Sequence, residues 1–555
     1  MPQTASGDTA SELAETTRVL LGLIREELGE DAVSEDDDFY AVGGDSLIAV
    51  RIVARANDLG IGIRLIDLLS HPSAAELAAC RPAPAAAADP GGASPPAPPP
   101  APPPLPQSAV RRPASSLQVG LVYQCEMSED PALYNDLIGV RVHGPFDEGC
   151  LRTALAALLD RHPALRSSFD LAAEPGPVQV LHPRLPLPLE VDRPVPDVSG
   201  GAAAEGAAVA AADAWRARQL RTPFDWQQPP LFRCHAACAA PAGEAFRLTV
   251  AMHHALMDGW SFATLVTELL RLYDAAVEDV PPSLPPLPSG VHERFVAAEQ
   301  AALSSTEAAE FWRRHAEGPR LLPHRVRHAL PGDASARLDL PFDRSLGTGL
   351  RAAAAQAGTP LKSLLLAVHS WALAHWSGHP EGGIATGIVL NGRPELAGAE
   401  GEVGLFLNTV PVRLPAADGS WQERARAARD VEAEAAPHRH YPLAAVEEHL
   451  GRPAFDVAFN FTDFRVYRHL AELRRIRVDE WFHADKADHP VSCDYTLDFP
   501  GFGTGLLVSY DPDLIPEPRL RAFAALVAEG LCSAARDPAA PPPATGAATA
   551  AGGGL

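Results

Sequence analysis

Residues 82–113 run from Pro-Ala-Pro-Ala-Ala-Ala-Ala-Asp through a proline-dominated stretch to Arg-Arg-Pro. Proline fixes φ, lacks an N–H and interrupts both helix and central strand, so this segment can neither complete a hydrogen-bond ladder nor bury a core. One continuous fold is excluded, and the chain divides into a small unit before the segment and a large one after it. In the polyproline conformation, at about 3.1 Å per residue, roughly thirty residues reach roughly 100 Å, enough for the first unit to visit several faces of the second.

The first unit, 10–81, predicts helices. Ser11 to Leu28 places Leu13, Val19, Leu20, Leu23 and Ile24 at helical spacing, Ser46 to Leu59 repeats the pattern, and shorter helices follow near Leu65–Leu69 and Ser73–Ala79. Beyond residue 114 helical patterns such as Leu151–Leu159 and Leu361–Trp376 alternate with strand patterns such as Arg247–Met252 and Ile384–Val389. A second proline cluster, Asp279–Gly290, splits this region into lobes of 114–285 and 286–537. Residues 538–555, rich in Pro, Ala and Gly, read as a disordered tail.

The charge balance of −24 opposes non-specific binding to nucleic acid, since each phosphate contact would form against the repulsion of the whole molecule. Acids concentrate early: residues 1–80 hold 15 Asp and Glu against 5 Arg and no Lys, with the run Glu35-Asp36-Asp37-Asp38, which suits docking on basic partner surfaces. No stretch approaches 18 unbroken apolar residues, and the first residues lack a basic start and an apolar run, so neither a membrane span nor a secretory signal is expected and the cytoplasm is the default location. Seven scattered cysteines fit reduced thiols. Cys234-His235-Ala-Ala-Cys238 could suggest metal ligands, but it sits in a strand-like apolar run without a second ligand pair, so no metal site is expected.

Two signatures carry chemistry. In Asp38-Phe-Tyr-Ala-Val-Gly-Gly-Asp-Ser46-Leu, two glycines permit a sharp turn and Ser46 stands at the start of an amphipathic helix, where backbone N–H groups and the helix dipole favour an anion. Farther on, Val250-Ala-Met-His253-His254-Ala-Leu-Met-Asp258-Gly259-Trp260-Ser261 pairs two histidines with a spaced Asp-Gly. Acyl transfer to an amine requires positioning, a proton acceptor near neutral pKa and a donor for the oxyanion. His254 suits the proton role, and Gly259 offers an unobstructed N–H.

Together these segments resemble a peptidyl carrier protein followed by a nonribosomal peptide synthetase condensation domain. The likeness extends over about 420 residues in separated patches: Ser116-Leu-Gln-Val-Gly-Leu121, Arg161-His-Pro-Ala-Leu-Arg166, the histidine pair, Asn391-Gly-Arg393-Pro, and Val403-Gly-Leu-Phe-Leu-Asn408-Thr-Val-Pro-Val-Arg413. It implies a four-helix all-α carrier plus a two-lobed α/β, chloramphenicol-acetyltransferase-like domain. By the same likeness Ser46 carries 4′-phosphopantetheine, His254 is the catalytic histidine with Gly259 beside the reacting carbonyl, and His253 is its structural neighbour. Asp258 makes an ion pair, with Arg393 the first candidate partner and Arg166 the second. Trp260, Ser261 and Asn408 are candidates for lining the acceptor tunnel. The segment Val291-His-Glu-Arg-Phe295 and the opening positions Gly120, Val122 and Tyr123 depart from the family pattern, which bears on substrate subtype.

The intact Asp258-Gly259-Trp260-Ser261 ending speaks against an epimerization domain, and the leading His253 against a heterocyclization domain. A condensation-like platform that recruits another enzyme without catalysis is the alternative of a different class. Neither an adenylating nucleotide loop nor a Gly-x-Ser-x-Gly elbow is present, and no second Gly-Gly-x-Ser unit follows the histidine motif before the chain ends. The expected partners are therefore a phosphopantetheinyl transferase, an adenylation enzyme or upstream synthetase that loads the carrier in trans, and a separate acceptor carrier or soluble amine; an alcohol acceptor, giving an ester, is the variant.

Overall fold

A computed structural model of the chain describes all residues except 1–4, 40, 41, 43, 45, 65, 66, 69, 70, 81–107, 129, 131, 195–200, 239–244, 323–335, 381, 382, 416–418, 464, 485–488, 500–502 and 545–555. The amphipathic patterns before the proline segment form α1 (Ala5–Leu28), α2 (Ser46–Asp58) and α3 (Ala74–Ala79). Leu20, Leu23 and Ile24 of α1 meet Ile48, Ile52 and Val53 of α2 and Leu77 of α3 over Phe39 and Leu68. Leu13, expected on the buried face, is 43% exposed; among the described side chains of α1, burial begins only at Thr16, so the helix outruns the elements it packs on. Ser73 caps α3 by accepting the Glu76 N–H, while the helix expected near Leu65–Leu69 falls largely outside the described residues.

The first lobe wraps helices around a mixed five-stranded sheet. Its elements are α4 (Ser116–Met127), β1 (Asn135–His143), α5 (Glu148–Arg161), β2 (Leu189–Asp192), α6 (Gly201–Gln219), β3 (Phe232–Ala237), β4 (Ala245–His253) and α7 (Gly259–Glu278). The second lobe follows α8 (Val291–Leu303) and α9 (Thr306–Ala316) with β5 (Ala336–Pro341), α10 (Arg344–Ala357), α11 (Leu361–Trp376), β6 (Thr386–Asn391), β7 (Leu407–Val412), α12 (Trp421–Ala435), α13 (Leu443–Leu450), β8 (Val457–Thr462), β9 (Arg477–Ala484), β10 (Val491–Phe499), β11 (Gly503–Tyr510) and α14 (Glu517–Arg536). Six of its strands form one sheet in the order β7-β6-β8-β10-β11-β5, with α11 buried against it.

Two segments cross the boundary expected near residue 286. Strand β9 leaves the second lobe and pairs antiparallel with β1, so the first lobe's sheet runs β9-β1-β4-β3-β2. Val403 and Leu405, on the loop between β6 and β7, are buried in the first lobe's core. A second difference concerns the tail: the carbonyls of Pro538 and Ala540 accept the N–H groups of Gln422 and Trp421 at the start of α12, so the first residues after 537 satisfy helix-initial donors and belong to the folded body.

Candidate functional site

Both signatures stand where helices begin. Ser46 is the first residue of α2, and the turn before it requires glycine at position 44, where a Cβ would overlap the buried Phe39 ring; Gly44 N–H also donates to the Phe39 carbonyl. The side chain of Ser46 lies outside the described ones. A phosphodiester there would meet the donors of a helix start, so the local structure fits a phosphopantetheine arm.

The histidine pair closes β4. Antiparallel pairing sets Asn135 opposite His253 and Asp136 opposite Met252, and the His254 N–H continues the ladder by donating to the Tyr134 carbonyl. Residues facing one another across the two strands point to the same side, so Asp136 and His254 are diagonal neighbours on one face while His253 points to the other. On its own face His253 is sealed. Its Nδ1 accepts the Ala255 N–H, Nε2 lies 3.3 Å from Cys125 Sγ, and the ring meets Phe224 edge-on. Burial, then the neighbouring His254, pushes its pKa down to about 3, so it stays neutral. His254 keeps 28% of its side chain exposed, and its Nδ1 lies 2.5 Å from Asp136 Oδ2.

Asp258 caps α7 and anchors a knot between the lobes. Its carboxylate meets Arg393 at 3.0 Å through both oxygens and accepts the Ser261 and Phe406 N–H groups, while Arg393 Nη2 also donates to Ser261 Oγ at 2.6 Å. Ser261 Oγ in turn donates to the Gly404 carbonyl and accepts the Gly404 N–H, which saturates the hydroxyl. The guanidinium lies over the Phe406 ring at 4.8 Å. Glycine is required at 404, where a Cβ would meet that ring at 2.7 Å. Gly259 is the first residue of α7, so its N–H is one of the four that a helix leaves without an intrahelical acceptor.

Two expectations are corrected. Arg166 is not a partner of Asp258: its guanidinium donates to the carbonyls of Leu159, His182 and Pro183 and braces a turn. Ser261 is fully buried in the knot, so it does not line a tunnel. Asn408, 8% exposed, donates to the Arg439 and Tyr441 carbonyls and accepts the Leu443 N–H, fixing the approach to α13. Trp260 is half-buried, its Nε1 donating to the Glu400 carbonyl on the crossing loop. Sequence reasoning passed over Asp136. The available signal was parity: Asp136 shares its strand face with Ile138, Val140 and Val142, where a carboxylate is costly unless paired.

Among the described residues, no cluster of three or more His, Cys, Asp or Glu could hold a metal, and no helix is long and apolar enough to cross a membrane. Cys234 and His235 are buried within β3, and none of the seven cysteines forms a disulfide.

A helical carrier joined to a two-lobed α/β unit of chloramphenicol-acetyltransferase type, with paired histidines closing a strand, defines a carrier-linked acyltransferase. Residues 110–484 match the condensation domain family and residues 18–80 the phosphopantetheine attachment site, so the chain belongs to the condensation-domain family of nonribosomal peptide synthetases and carries a covalent 4′-phosphopantetheine site. It is 35% identical over 95% of its length to the AMB antimetabolite synthetase AmbE of Pseudomonas aeruginosa, of which it covers 25%. The phosphinothricin tripeptide synthetase PhsB of Streptomyces viridochromogenes is 30% identical over 76% of the chain, which covers 35% of that protein. The chain thus spans a quarter to about a third of the length of these relatives. The first condensation domain of the CDA synthetase shares the fold at a TM-score of 0.60 and 20% identity, covering 78% of this chain and 98% of that one. The X-domain from teicoplanin biosynthesis does so at 0.59 and 20% identity, covering 77% and 96%. Condensation domains of these synthetases are acyltransferases that form amide bonds.

Proposed function

We propose that the chain transfers an acyl or peptidyl donor held on Ser46 to an amine supplied in trans, forming an amide. The bound arm supplies a thioester carbonyl as the electrophile. His254 accepts the proton of the attacking amine, and the Gly259 N–H at the start of α7 donates to the developing oxyanion. His253 stays neutral and rigid behind the reacting group, and the Asp258–Arg393 knot holds the loop and both lobes in register. A phosphopantetheinyl transferase installs the arm, a separate adenylation enzyme or synthetase module loads it, and the acceptor arrives on another carrier or as a soluble amine, all in the cytoplasm. The observation that carries this reading is the contrast within the histidine pair: His253 is sealed and neutral, while His254 is partly open and oriented by a carboxylate.

The test installs aminoacyl arms on Ser46 from aminoacyl-coenzyme A donors and offers amino acid esters, aminoacyl carriers and hydroxy acid esters as acceptors, with intact mass reporting transfer. His254→Ala is expected to slow transfer by roughly 100- to 1,000-fold, in the range of a lost general base. Ser46→Ala is expected to take up no arm and make no product. Donor loss as fast in His254→Ala as in the wild type would overturn the reading. Donor that persists in both with every acceptor would favour the recruitment platform, and turnover with hydroxy acids alone would make the product an ester.

A further inference from the structure

We infer that Asp136 is a positioning residue for His254, locking the imidazole into the tautomer that can accept a proton. The inference rests on the acyl-transfer reading above and adds to it a residue that lies 118 positions upstream of the histidine, outside the motif.

An ionised carboxylate only accepts hydrogen bonds, so a contact of 2.5 Å between Asp136 Oδ2 and His254 Nδ1 places the ring hydrogen on Nδ1. Neutral imidazole carries one such hydrogen, which leaves the lone pair on Nε2. The neighbouring ring is fixed the opposite way. His253 Nδ1 accepts a backbone N–H and therefore carries no hydrogen, so its Nε2–H points to Cys125 Sγ. Two adjacent histidines thus hold opposite tautomers, each dictated by its partner on its own face of the sheet.

Asp136 also has no packing reason to be acidic. Its carboxylate, 9% exposed, ends a strand face otherwise made of Ile138, Val140 and Val142, and burying a charge there costs free energy unless a partner returns it. In the reaction the acceptor nitrogen forms a bond to the thioester carbon and the carbonyl π pair moves to oxygen. The N–H proton passes to His254 Nε2, and the resulting imidazolium is stabilised by Asp136. Collapse re-forms the carbonyl and breaks the C–S bond; the thiolate leaves and takes the proton from Nε2. Amide and thiol are the products, and the dyad returns to its starting state.

Asp136→Asn, Asp136→Leu and Asp136→Glu separate positioning from support of the fold, using the donor and acceptor that turn over in the wild type. A carboxamide can donate to Nδ1 and so stabilise the opposite tautomer, as in Ser-His-Asp enzymes. Asn and Leu are therefore expected to lower kcat by roughly 100-fold or more while the acceptor KM stays within about twofold, and Glu is expected to recover part of the loss. Leu suits the apolar face, so its melting temperature should not fall. In protein labelled with 15N-histidine, the His254 signals, identified by their loss in His254→Gln, should show hydrogen on Nδ1 in the wild type and on Nε2 in Asp136→Asn. Asn and Leu variants that transfer within about threefold of the wild type, or a wild-type ring with hydrogen on Nε2, would overturn the inference. If no acceptor turns over even in the wild type, the acyl-transfer reading fails by itself, and the nitrogen spectrum still decides whether Asp136 sets the tautomer.

Discussion

Arg393→Leu is expected to destabilise the chain by about 3–5 kcal/mol, as breaking one half of a buried ion pair does. Arg393 and Asp258 are each 3% exposed in their side chains, and the pair is bidentate. Removing the guanidinium leaves a carboxylate in the interior and unties Ser261 Oγ, which also holds both backbone groups of Gly404. Asp258→Leu should cost a similar amount. The double variant should cost less than the sum, because no lone charge then remains. Urea unfolding of the four proteins measures this coupling. Additive losses would mean that the pair contributes nothing beyond its separate packing.

Acid should weaken the fold well above the carboxylate range. His253 and His369 are pushed down to about 3, and His292 and His440 to about 4, chiefly by burial. An unfolded histidine binds its proton near pH 6.5, so between that value and the folded pKa the unfolded chain holds more protons and stability falls as pH drops. From pH 7.5 to 5.5 each histidine removes roughly 1.3 kcal/mol, and the four together on the order of 5 kcal/mol. Glu299, Glu400 and Glu402 are pushed up by burial and act the other way, taking protons in the fold before the unfolded chain does. The unfolded histidines fill with protons as pH falls, so their contribution to the loss steepens toward the lower part of the window, and the three glutamates offset part of it there. Thermal melts across that range test this, and a midpoint constant from pH 7.5 to 5.5 would contradict it. His369→Gln, which loses one titrating ring held between Tyr495 and Thr386, should flatten the slope by about a quarter.

Local chemistry made much of the molecule legible in the sequence. Helical spacing located α2 and α11, and the strand ending in paired histidines was readable from Arg247 onward, whereas the proline-rich segment was read four residues too far, since Val110–Pro113 pairs antiparallel with Val178–Leu181. Arg393 could be named as the partner of Asp258 because the family likeness placed both residues. Where contacts join distant segments the reading failed. A buried serine that saturates a hydrogen-bond knot and a serine that lines a tunnel look alike in one dimension, so Ser261 was misassigned. Arg166 was misassigned for the same reason: its carbonyl acceptors are backbone groups, which leave no mark on the sequence. Asp136 needed the register between β1 and β4, which only the folded sheet supplies.

The exchange of β9 and of Val403 and Leu405 into the first lobe has a practical consequence for anyone who would cut this enzyme apart. A fragment stopping at residue 285 would present β1 as a bare sheet margin and leave its interior short of two aliphatic plugs, a surface prone to self-association. The complementary fragment would carry an orphan ribbon with nothing to lie against. Hybrid synthetases built from this chain should therefore take residues 110–540 as one indivisible cassette, with the upstream splice point in the proline-rich stretch before it.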